Sequence, residues 1–227
     1  MNSSVSLPPE AEELAGRRLG ELASSLPGAT AVFRRHKLDF CCGGDIALAD
    51  AAQRRGLDVQ AIAGQLLALD SAAGPELPES PEALIEHIVG RYHDVHRREL
   101  PELVLLAEKV ERVHRGHADV PAGLAALLRD MQSELEEHME KEEMVLFPMM
   151  LRNPGARLAP PVQRMRAEHD DHGAMLRRLQ GLTHDLTAPA EACNTWRALY
   201  AGVGKLADDL MEHIHIENNV LFPQYEA

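Results

Sequence analysis

The chain has 227 residues and a formal net charge of −13, so nucleic acids and anionic membrane surfaces are unfavourable partners. Its hydrophobic fraction of 45% predicts a globular core, and its aromatic fraction of only 4% favours helices over sheets. No apolar run is long enough to span a bilayer, and the N-terminus lacks the pattern of a signal peptide. Three cysteines, an odd and low number, indicate a reducing compartment, and we predict a soluble, cytoplasmic protein.

Residues 1–70 are expected to form a small helical domain. After a polar, proline-bearing lead-in over residues 1–15, the spacing of apolar residues predicts four short helices. They are expected at residues 19–26, 29–37 and 46–55, and from Asp58 onwards, with Asp58 as the cap of the last helix.

The loop within this domain contains two adjacent cysteines, Cys41 and Cys42, followed by two glycines and by Asp45, which is predicted to cap the next helix. Adjacent cysteines seldom form a disulfide with each other, because the ring is strained. Thiols just before a helix N-terminus should be exposed and somewhat acidic. Thiol redox chemistry, metal transfer and a mixed disulfide are open roles, and two ordinary loop residues are the alternative. Cys193, far along the chain, is expected to be inert.

Residues 71–80 are predicted to form a linker because prolines within this stretch prevent a regular helix. The rest of the chain, residues 81–227, predicts four long helices joined by short turns. Pro101 could kink the first helix, and Pro121 is expected to open the second. The predicted fold is all-α: a small N-terminal helical domain followed by an antiparallel four-helix bundle.

The bundle sequence contains two copies of one helical hairpin. His138 and Glu142 are four residues apart, so they lie on one face of a helix. The same pair recurs as His213 and Glu217, 75 residues further on, and both pairs run into the sequence Val-Leu-Phe-Pro. On the preceding helices, the His-Asp-x-His motif that begins at His93 recurs 76 residues later. A repeated pattern in register predicts one shared site.

Each copy supplies two histidines and one glutamate as potential metal ligands. The six residues are His93, His138, Glu142, His169, His213 and Glu217. Four imidazoles and two carboxylates exceed what one ion needs, and they suit two ions that each bind two histidines and share both carboxylates. Octahedral nitrogen and oxygen coordination favours iron first and manganese second, whereas zinc would need fewer ligands.

Other polar residues lie close to these ligands in the sequence. His96 and His172 each follow a predicted ligand by three residues, and an outer or cavity-lining role is favoured over direct ligation. Glu134 and Glu168 could line an access route as a proton or cation relay, or they could be ordinary solvated charges. His215 is expected to lie on the surface.

Several motifs of this chain are those of a known family. They are Asp39-Phe-Cys-Cys-Gly-Gly44, Arg91-Tyr-His-Asp94, Leu100-Pro-Glu-Leu103, Lys109-Val-Glu-Arg-Val-His114, Glu142-Glu-Met-Val-Leu-Phe-Pro148, Glu168-His-Asp170 and Glu217-Asn-Asn-Val-Leu-Phe-Pro223. With these motifs, and over nearly the whole chain past residue 17, the sequence resembles the iron–sulfur cluster repair di-iron proteins, or repair-of-iron-centres family. The resemblance implies that the bundle is hemerythrin-like.

The resemblance also implies a function, which is the restoration of iron–sulfur clusters damaged by nitric oxide or peroxide. It implies two non-haem iron ions with carboxylate and oxo bridges, held by the six residues that the repeat predicts. The family's paired cysteines correspond to Cys41 and Cys42, and its cavity carboxylates correspond to Glu134 and Glu168. Damaged or apo iron–sulfur proteins would be the partners, nitric oxide or dioxygen the small ligand, and the protein a monomer or homodimer.

Three functions remain open from the sequence. A repair protein would donate iron from a labile di-iron centre, and its cysteine domain would dock to the damaged protein or relay the iron. An enzyme would instead reduce nitric oxide with electrons from both irons. A sensor or carrier would only bind dioxygen or nitric oxide, and the cysteine domain argues against that function because simple binding needs no thiols. Whether the protein is an enzyme therefore stays open here.

Overall fold

The computed structural model describes residues 9–69, 77–153, 155 and 157–226. Within these ranges the chain is helical and contains no β-strand, apart from an isolated bridge between Arg18 and Ala47. The prediction of an all-α fold is therefore confirmed. By its internal contacts the chain forms two units, Met1–Leu77 with Ile214–Pro223 and Pro78–His213 with Gln224–Ala227. In the described ranges, no helix has both the length and the apolar character needed to cross a membrane.

The described residues before the bundle form five short helices of the N-terminal unit. They are α1 (Pro9–Gly16), α2 (Leu19–Ser25), α3 (Ala29–Arg35), α4 (Leu48–Arg54) and α5 (Val59–Leu67). Helix α1 occupies part of the stretch expected to be a lead-in, and it forms because Ala11, Leu14 and Ala15 make a buried apolar face. The residues before it, 1–8, lie outside the described part of the chain, as do residue 70 and residues 71–76 of the predicted linker.

Only one of the two predicted caps in this unit is present. The Asp58 side chain accepts a hydrogen bond from the Gln60 amide at 2.9 Å and caps α5. Asp45 does not cap α4, because that helix begins only at Leu48 and Ala47 occupies the cap position. Ile46 and Ala47 do not join the helix because their backbone pairs with an earlier segment. The Leu19 amide donates a hydrogen bond of 3.0 Å to the Ile46 carbonyl oxygen, and Ala47 forms the isolated bridge with Arg18.

The bundle begins at Ser80, whose side chain accepts a hydrogen bond from the Ala83 amide, with Pro81 in the first turn as predicted. Its α-helices are α6 (Pro81–Ile88), α7 (Asp94–Val113), α8 (Leu124–Lys141), α9 (Phe147–Arg152), α10 (Ala159–Leu182) and α11 (Asn194–Ile216). Helix α7 continues through Pro101, and α8 starts at Leu124, three residues after Pro121, because Gly123 has a left-handed φ of 93°.

The long helices bury one apolar stripe each. On α11 the fully buried residues Trp196, Leu199, Val203, Leu206 and Leu210 follow one another at intervals of three or four. This is the spacing of a single helix face, and burying each side chain of this size stabilises the fold by roughly 1.5–3 kcal/mol.

In the described part of the bundle sequence, three π-helical segments interrupt the α-helices. They are Val89–His93, Glu142–Leu146 and Glu217–Leu221. Each contains a predicted metal ligand, either as its last residue or as its first. The second and third segments occupy matching positions in the two sequence copies. Short π-helical segments are often found at functional sites, and here they mark three of the six ligands.

Candidate metal centre

The six predicted ligands are buried, and each has at most 1% of its surface exposed. Their ligand atoms form two groups, in each of which all atoms lie within 4.8 Å of one another. One group is His93, Glu142, His213 and Glu217, and the other is His138, Glu142, His169 and Glu217. Both carboxylates belong to both groups, which is the sharing that the duplicated sequence predicts.

The two imidazoles of each group face each other through their Nε2 atoms. The Nε2–Nε2 distance is 3.0 Å between His93 and His213, and 3.0 Å between His138 and His169. Two nitrogens that bind one ion at about 2.1 Å lie about 3.0 Å apart at 90° and about 3.4 Å apart at a tetrahedral angle. The observed spacing therefore suits neighbouring positions of an octahedron, and this donor set is one that iron accepts.

Glu142 faces both groups at once. Its Oε2 lies 3.5 Å from His93 Nε2, and its Oε1 lies 3.4 Å from His138 Nε2. The two oxygens are therefore directed at histidines of different groups. This arrangement arises because Glu142 follows His138 by one helical turn, while His93 approaches from the other helix of the same hairpin.

Two carboxylates that are not ligands hold the histidines from behind. Glu143 Oε1 lies 2.7 Å from His93 Nδ1, and Glu168 Oε2 lies 2.8 Å from His138 Nδ1. A carboxylate accepts a hydrogen bond from Nδ1–H, which leaves the Nε2 lone pair directed into the site. Each carboxylate thus fixes the ring orientation and the tautomer that a metal ligand needs.

Glu168 is held in its charged form. Burial alone would raise the pKa of its carboxyl, but hydrogen bonds from His138, Lys141 and Arg164 outweigh burial and lower that pKa to about 2. Glu143 is joined in a similar way to Arg97, whose guanidinium lies 2.8 Å from it. The sequence analysis did not select Glu143, and its only signal there was a second glutamate beside Glu142.

Two family models match the chain. One, described as the hemerythrin HHE cation binding domain, matches residues 84–225, and the other, ScdA_N, described as a domain of unknown function, matches residues 15–70. Three similar proteins are each named iron–sulfur cluster repair protein YtfE. The protein of Musicola paradisiaca is 50% identical over 211 residues, 92% of this chain and 95% of its own length. That of Citrobacter koseri is 49% identical over 208 residues (91% and 94%), and that of Yersinia pseudotuberculosis is 50% identical over 209 residues (91% and 95%).

The chain belongs to the YtfE family of iron–sulfur cluster repair proteins. The stretch matched by the cation-binding domain contains all six histidine and glutamate residues of the two groups, together with Glu143 and Glu168. The ScdA_N stretch contains the paired cysteines. The resemblance stated from sequence motifs is therefore confirmed, and the bundle is hemerythrin-like.

In this YtfE-family chain, His96 and His172 are in neither ligand group, although both are buried. The His96 ring centroid lies 5.5 Å from that of His213, and the His172 centroid lies 4.9 Å from that of His138. Burial and the neighbouring His213 lower the pKa of His96 to about 3, and burial and His138 lower that of His172 to about 2. Both imidazoles are therefore neutral, and they line the ligand histidines as the favoured interpretation expects.

Glu134 is exposed on α8. Its pKa is raised mainly by partial burial, and to a smaller extent by the nearby carboxylates of Asp171 and Asp130. Among the described hydrogen bonds and ion pairs, none joins Glu134 to the six ligand residues, so its place on an access route stays a prediction. Glu168 differs, because it contacts the ligand His138 directly.

Cys41 and Cys42 lie in the N-terminal unit, where Cys41 is buried and Cys42 is partly exposed. Their side chains are 3.7 Å apart between the two Sγ atoms, and no disulfide joins them. The Asn218 side-chain amide donates a hydrogen bond of 3.1 Å to the Cys41 carbonyl oxygen. The predicted catalytic roles of both thiols stay predictions.

The expectations for His215 and for the Cys41 thiol differ from the structure. His215 is not on the surface but 1% exposed, because its ring packs edge-on against Phe40 at 5.3 Å. Burial lowers the pKa of His215 to about 4. Cys41 was expected to be exposed and somewhat acidic, but it is buried, and its hydrogen bond with Cys42 and its burial raise the pKa of the thiol. Cys193 is exposed, with its Sγ 3.2 Å from His114 Nε2, and its inertness stays a prediction.

Proposed function

We propose that this protein repairs iron–sulfur clusters damaged by nitrosative or oxidative stress, and that it does so by donating iron from a labile dinuclear centre. The observation that carries the proposal is the position of Glu142, whose two oxygens face histidines of two different groups. A site for a single ion would not require one carboxylate to face two separate pairs of histidines. The names of the similar proteins support cluster repair as the task.

Two non-haem iron ions would be held by the four histidines and would share Glu142 and Glu217, with an oxo group as the third bridge. The donor set fits iron, because it offers neutral nitrogen and anionic oxygen at octahedral spacing and contains no thiolate. When bound, iron supplies redox chemistry and is also the cargo that a damaged cluster needs.

The residues of the chain set how tightly this cargo is held. Among the protein ligands, only Glu142 and Glu217 would bring negative charge directly to the ions, because the imidazole ligands are neutral. Glu143 and Glu168 add charge from behind the histidines and keep their rings oriented. A site with few anionic ligands for two cations favours release over permanent storage.

The partners would be damaged or apo iron–sulfur proteins, and nitric oxide or dioxygen would be the small ligand of the centre. We place this reaction in the cytoplasm, which is supported by the absence of disulfides among the three cysteines. The protein would act as a monomer or homodimer.

The test begins with protein purified without oxygen. About two irons per chain are expected, and incubation with an apo iron–sulfur protein should transfer iron and restore its cluster. Glu142→Ala/Glu217→Ala should lose both the iron and the transfer, whereas Glu140→Ala, an exposed glutamate on the same helix, should keep both. One bound zinc per chain, or iron content unchanged in the double variant, would overturn the proposal. Nitric oxide turnover with a reductant and without iron transfer would favour the reductase instead.

A further inference from the structure

A second cluster of potential metal ligands lies in the N-terminal unit. It consists of Asp39, Cys41 and Cys42, whose ligand atoms lie within 4.8 Å of one another. Cys41 Sγ is 3.7 Å from Cys42 Sγ and 3.3 Å from Asp39 Oδ1. Two thiols and a carboxylate thus converge on one point of the loop between α3 and α4.

The spacing of the two sulfur atoms matches a tetrahedral ion. Thiolates bind such an ion at about 2.3 Å, and two of them at the tetrahedral angle lie about 3.8 Å apart. The observed 3.7 Å is close to that value and well beyond a disulfide bond of about 2.0 Å. The loop therefore presents both sulfurs at the separation that one metal ion requires.

The backbone holds this arrangement in place. Asp39 Oδ1 accepts hydrogen bonds from the Cys42 amide at 3.0 Å and from the Gly43 amide at 3.1 Å. A Cβ at Gly43 would lie 2.8 Å from the Asp39 carbonyl oxygen, and a Cβ at Gly44 would lie 2.8 Å from the Phe40 carbonyl oxygen. The tight turn that brings the three side chains together therefore requires glycine at both positions.

A contact from another part of the same unit fixes the loop further. Asn218 binds the Cys41 carbonyl oxygen, and it directly follows Glu217 in the chain. Cys41 is 4% exposed, whereas Asp39 and Cys42 are partly exposed. The cluster thus has a rigid, buried side and a side that faces solvent, where a fourth ligand can exchange.

Without a cation, the cluster disfavours the charged thiolate form of Cys41. The hydrogen bond with Cys42, burial and the Asp39 carboxylate all raise the pKa of the Cys41 thiol well above its ordinary value. Two thiolates beside a carboxylate repel each other unless a cation lies between them. Metal binding removes this repulsion and releases the thiol protons.

We propose that Asp39, Cys41 and Cys42 form a second metal site that holds one thiophilic divalent ion in a tetrahedral arrangement, with the fourth position open to solvent. Soft thiolate ligands distinguish this site from the histidine and glutamate centre. The physiological ion is Fe2+, a step that rests on the proposed function, because iron is the cargo there. The open fourth position then gives an incoming or departing ion a place to exchange ligands.

The test uses Co2+ as a probe, because cobalt bound to thiolate absorbs light through sulfur-to-metal charge transfer. Full-length protein, reduced and already loaded with iron in the bundle, is titrated with CoCl2 without oxygen. One cobalt per chain and a thiolate band are expected. Cys41→Ser/Cys42→Ser should abolish the band, and Cys193→Ser, which removes the remaining cysteine, should leave it unchanged.

Asp39→Asn tests the carboxylate separately from the loop. The amide oxygen of asparagine can still accept from Cys42 and Gly43, but it lacks the charge that a metal ligand provides. We expect cobalt binding to weaken by about tenfold or more, because even residues behind a ligand contribute that much. Circular dichroism and the iron content of each variant check that it is folded. If the double variant does not fold, Cys42→Ser alone, at the more exposed position, should still reduce the band.

No thiolate band in the wild type, or the same band in the cysteine variants, overturns the second site. Iron content is measured in the same samples, so the two proposals fail separately. Two irons without a cobalt site would leave the repair function standing, and a cobalt site without bundle iron would leave only the N-terminal site.

Discussion

The two copies of the helical hairpin have the same predicted ligands but different residues around them. In the first copy, Glu143 and Glu168 hold His93 and His138 through Nδ1. At the positions that match these carboxylates, 75 and 76 residues away, the chain has Asn218 and Tyr92 instead.

Asn218 and Tyr92 make contacts that differ from those of the two carboxylates. Asn218 binds the Cys41 carbonyl, and the Tyr92 ring stacks on His213 with centroids 5.5 Å apart. Each predicted ligand group therefore contains two kinds of histidine. One comes from the first copy, His93 or His138, and has a described carboxylate at its Nδ1. The other comes from the second copy. The two copies therefore keep the six predicted ligands at matching positions, whereas the residues behind these ligands differ between them.

The largest expected effect tests whether the ligands of the two copies are equivalent. Glu142→Ala and Glu217→Ala should each reduce bound iron from about two per chain to nearly none, because each carboxylate belongs to both groups. Metal analysis of anaerobically purified protein measures this. If one variant retained both irons and the other none, the two copies would not be equivalent at their ligands.

The next effect tests the residues behind the ligands. Glu143→Ala and Glu168→Ala should each weaken iron retention about 10–100-fold, because an unsupported imidazole loses its orientation. Competition with a chelator gives the affinities. Asn218→Ala, at the position that matches Glu143, should leave iron affinity within a few-fold of wild type. A loss as large as that of Glu143→Ala would show that Asn218 also supports a ligand.

A smaller effect compares ion pairs that the two copies do not share. Arg91 and Lys205 bind Asp209, whereas the matching positions of Arg91 and Asp209 are Ala167 and the exposed Glu134. Burial would raise the pKa of Asp209, but the two cations outweigh it and lower that pKa. The carboxylate of Asp209 therefore stabilises the fold, whereas that of Glu134, with its raised pKa, opposes folding.

These directions give opposite dependence on pH. In metal-free protein at neutral pH, Asp209→Asn should lower the free energy of unfolding by about 1 kcal/mol. The loss should disappear as the pH falls below the unfolded value of about 3.9 and through the lower folded pKa. Glu134→Gln should raise stability slightly at neutral pH, and this gain should vanish below about pH 4.3. Chemical denaturation across this pH range measures the free energy of unfolding of both variants. Changes of the same sign in the two variants at neutral pH would contradict the comparison.

The smallest effect concerns the outermost cations. Arg164 is 70% exposed where it meets Glu168, whereas Arg97 is 27% exposed and binds both Glu136 and Glu143. Arg164→Ala should change iron retention too little to measure, and Arg97→Ala should weaken it a few-fold. The same chelator competition applies, and a larger loss from Arg164→Ala would show that exposure is a poor guide here.

The sequence predicted the helices of the bundle and brought the six ligands into one hypothesis, because ligation demands fixed residue types at fixed helical spacing. It could not identify Glu143 as a partner of His93, since that contact depends on how two helices approach each other. The same limit explains His215, which was expected on the surface but packs against Phe40.

Predictions from local sequence patterns were wrong where tertiary packing determines the structure. Helix α1 forms on a short apolar face in a stretch that looked polar. Asp45 does not cap α4 because Ile46 and Ala47 pair with the backbone around Arg18 before the helix begins. The ligand role of the six residues, the domain boundaries and the roles of Glu134 and the paired cysteines stay predictions until they are measured.

The π-helical segments also alter the direction of the side chains that they carry. A π turn contains more residues than an α turn, so it rotates the following side chains around the helix axis relative to a continuous α-helix. Glu142–Leu146 and Glu217–Leu221 make this change at matching positions of the two copies. Val89–His93 has no counterpart in α10, which is α-helical throughout. The two copies therefore present Glu142 and Glu217 on the same kind of backbone, but His93 and His169 on different kinds.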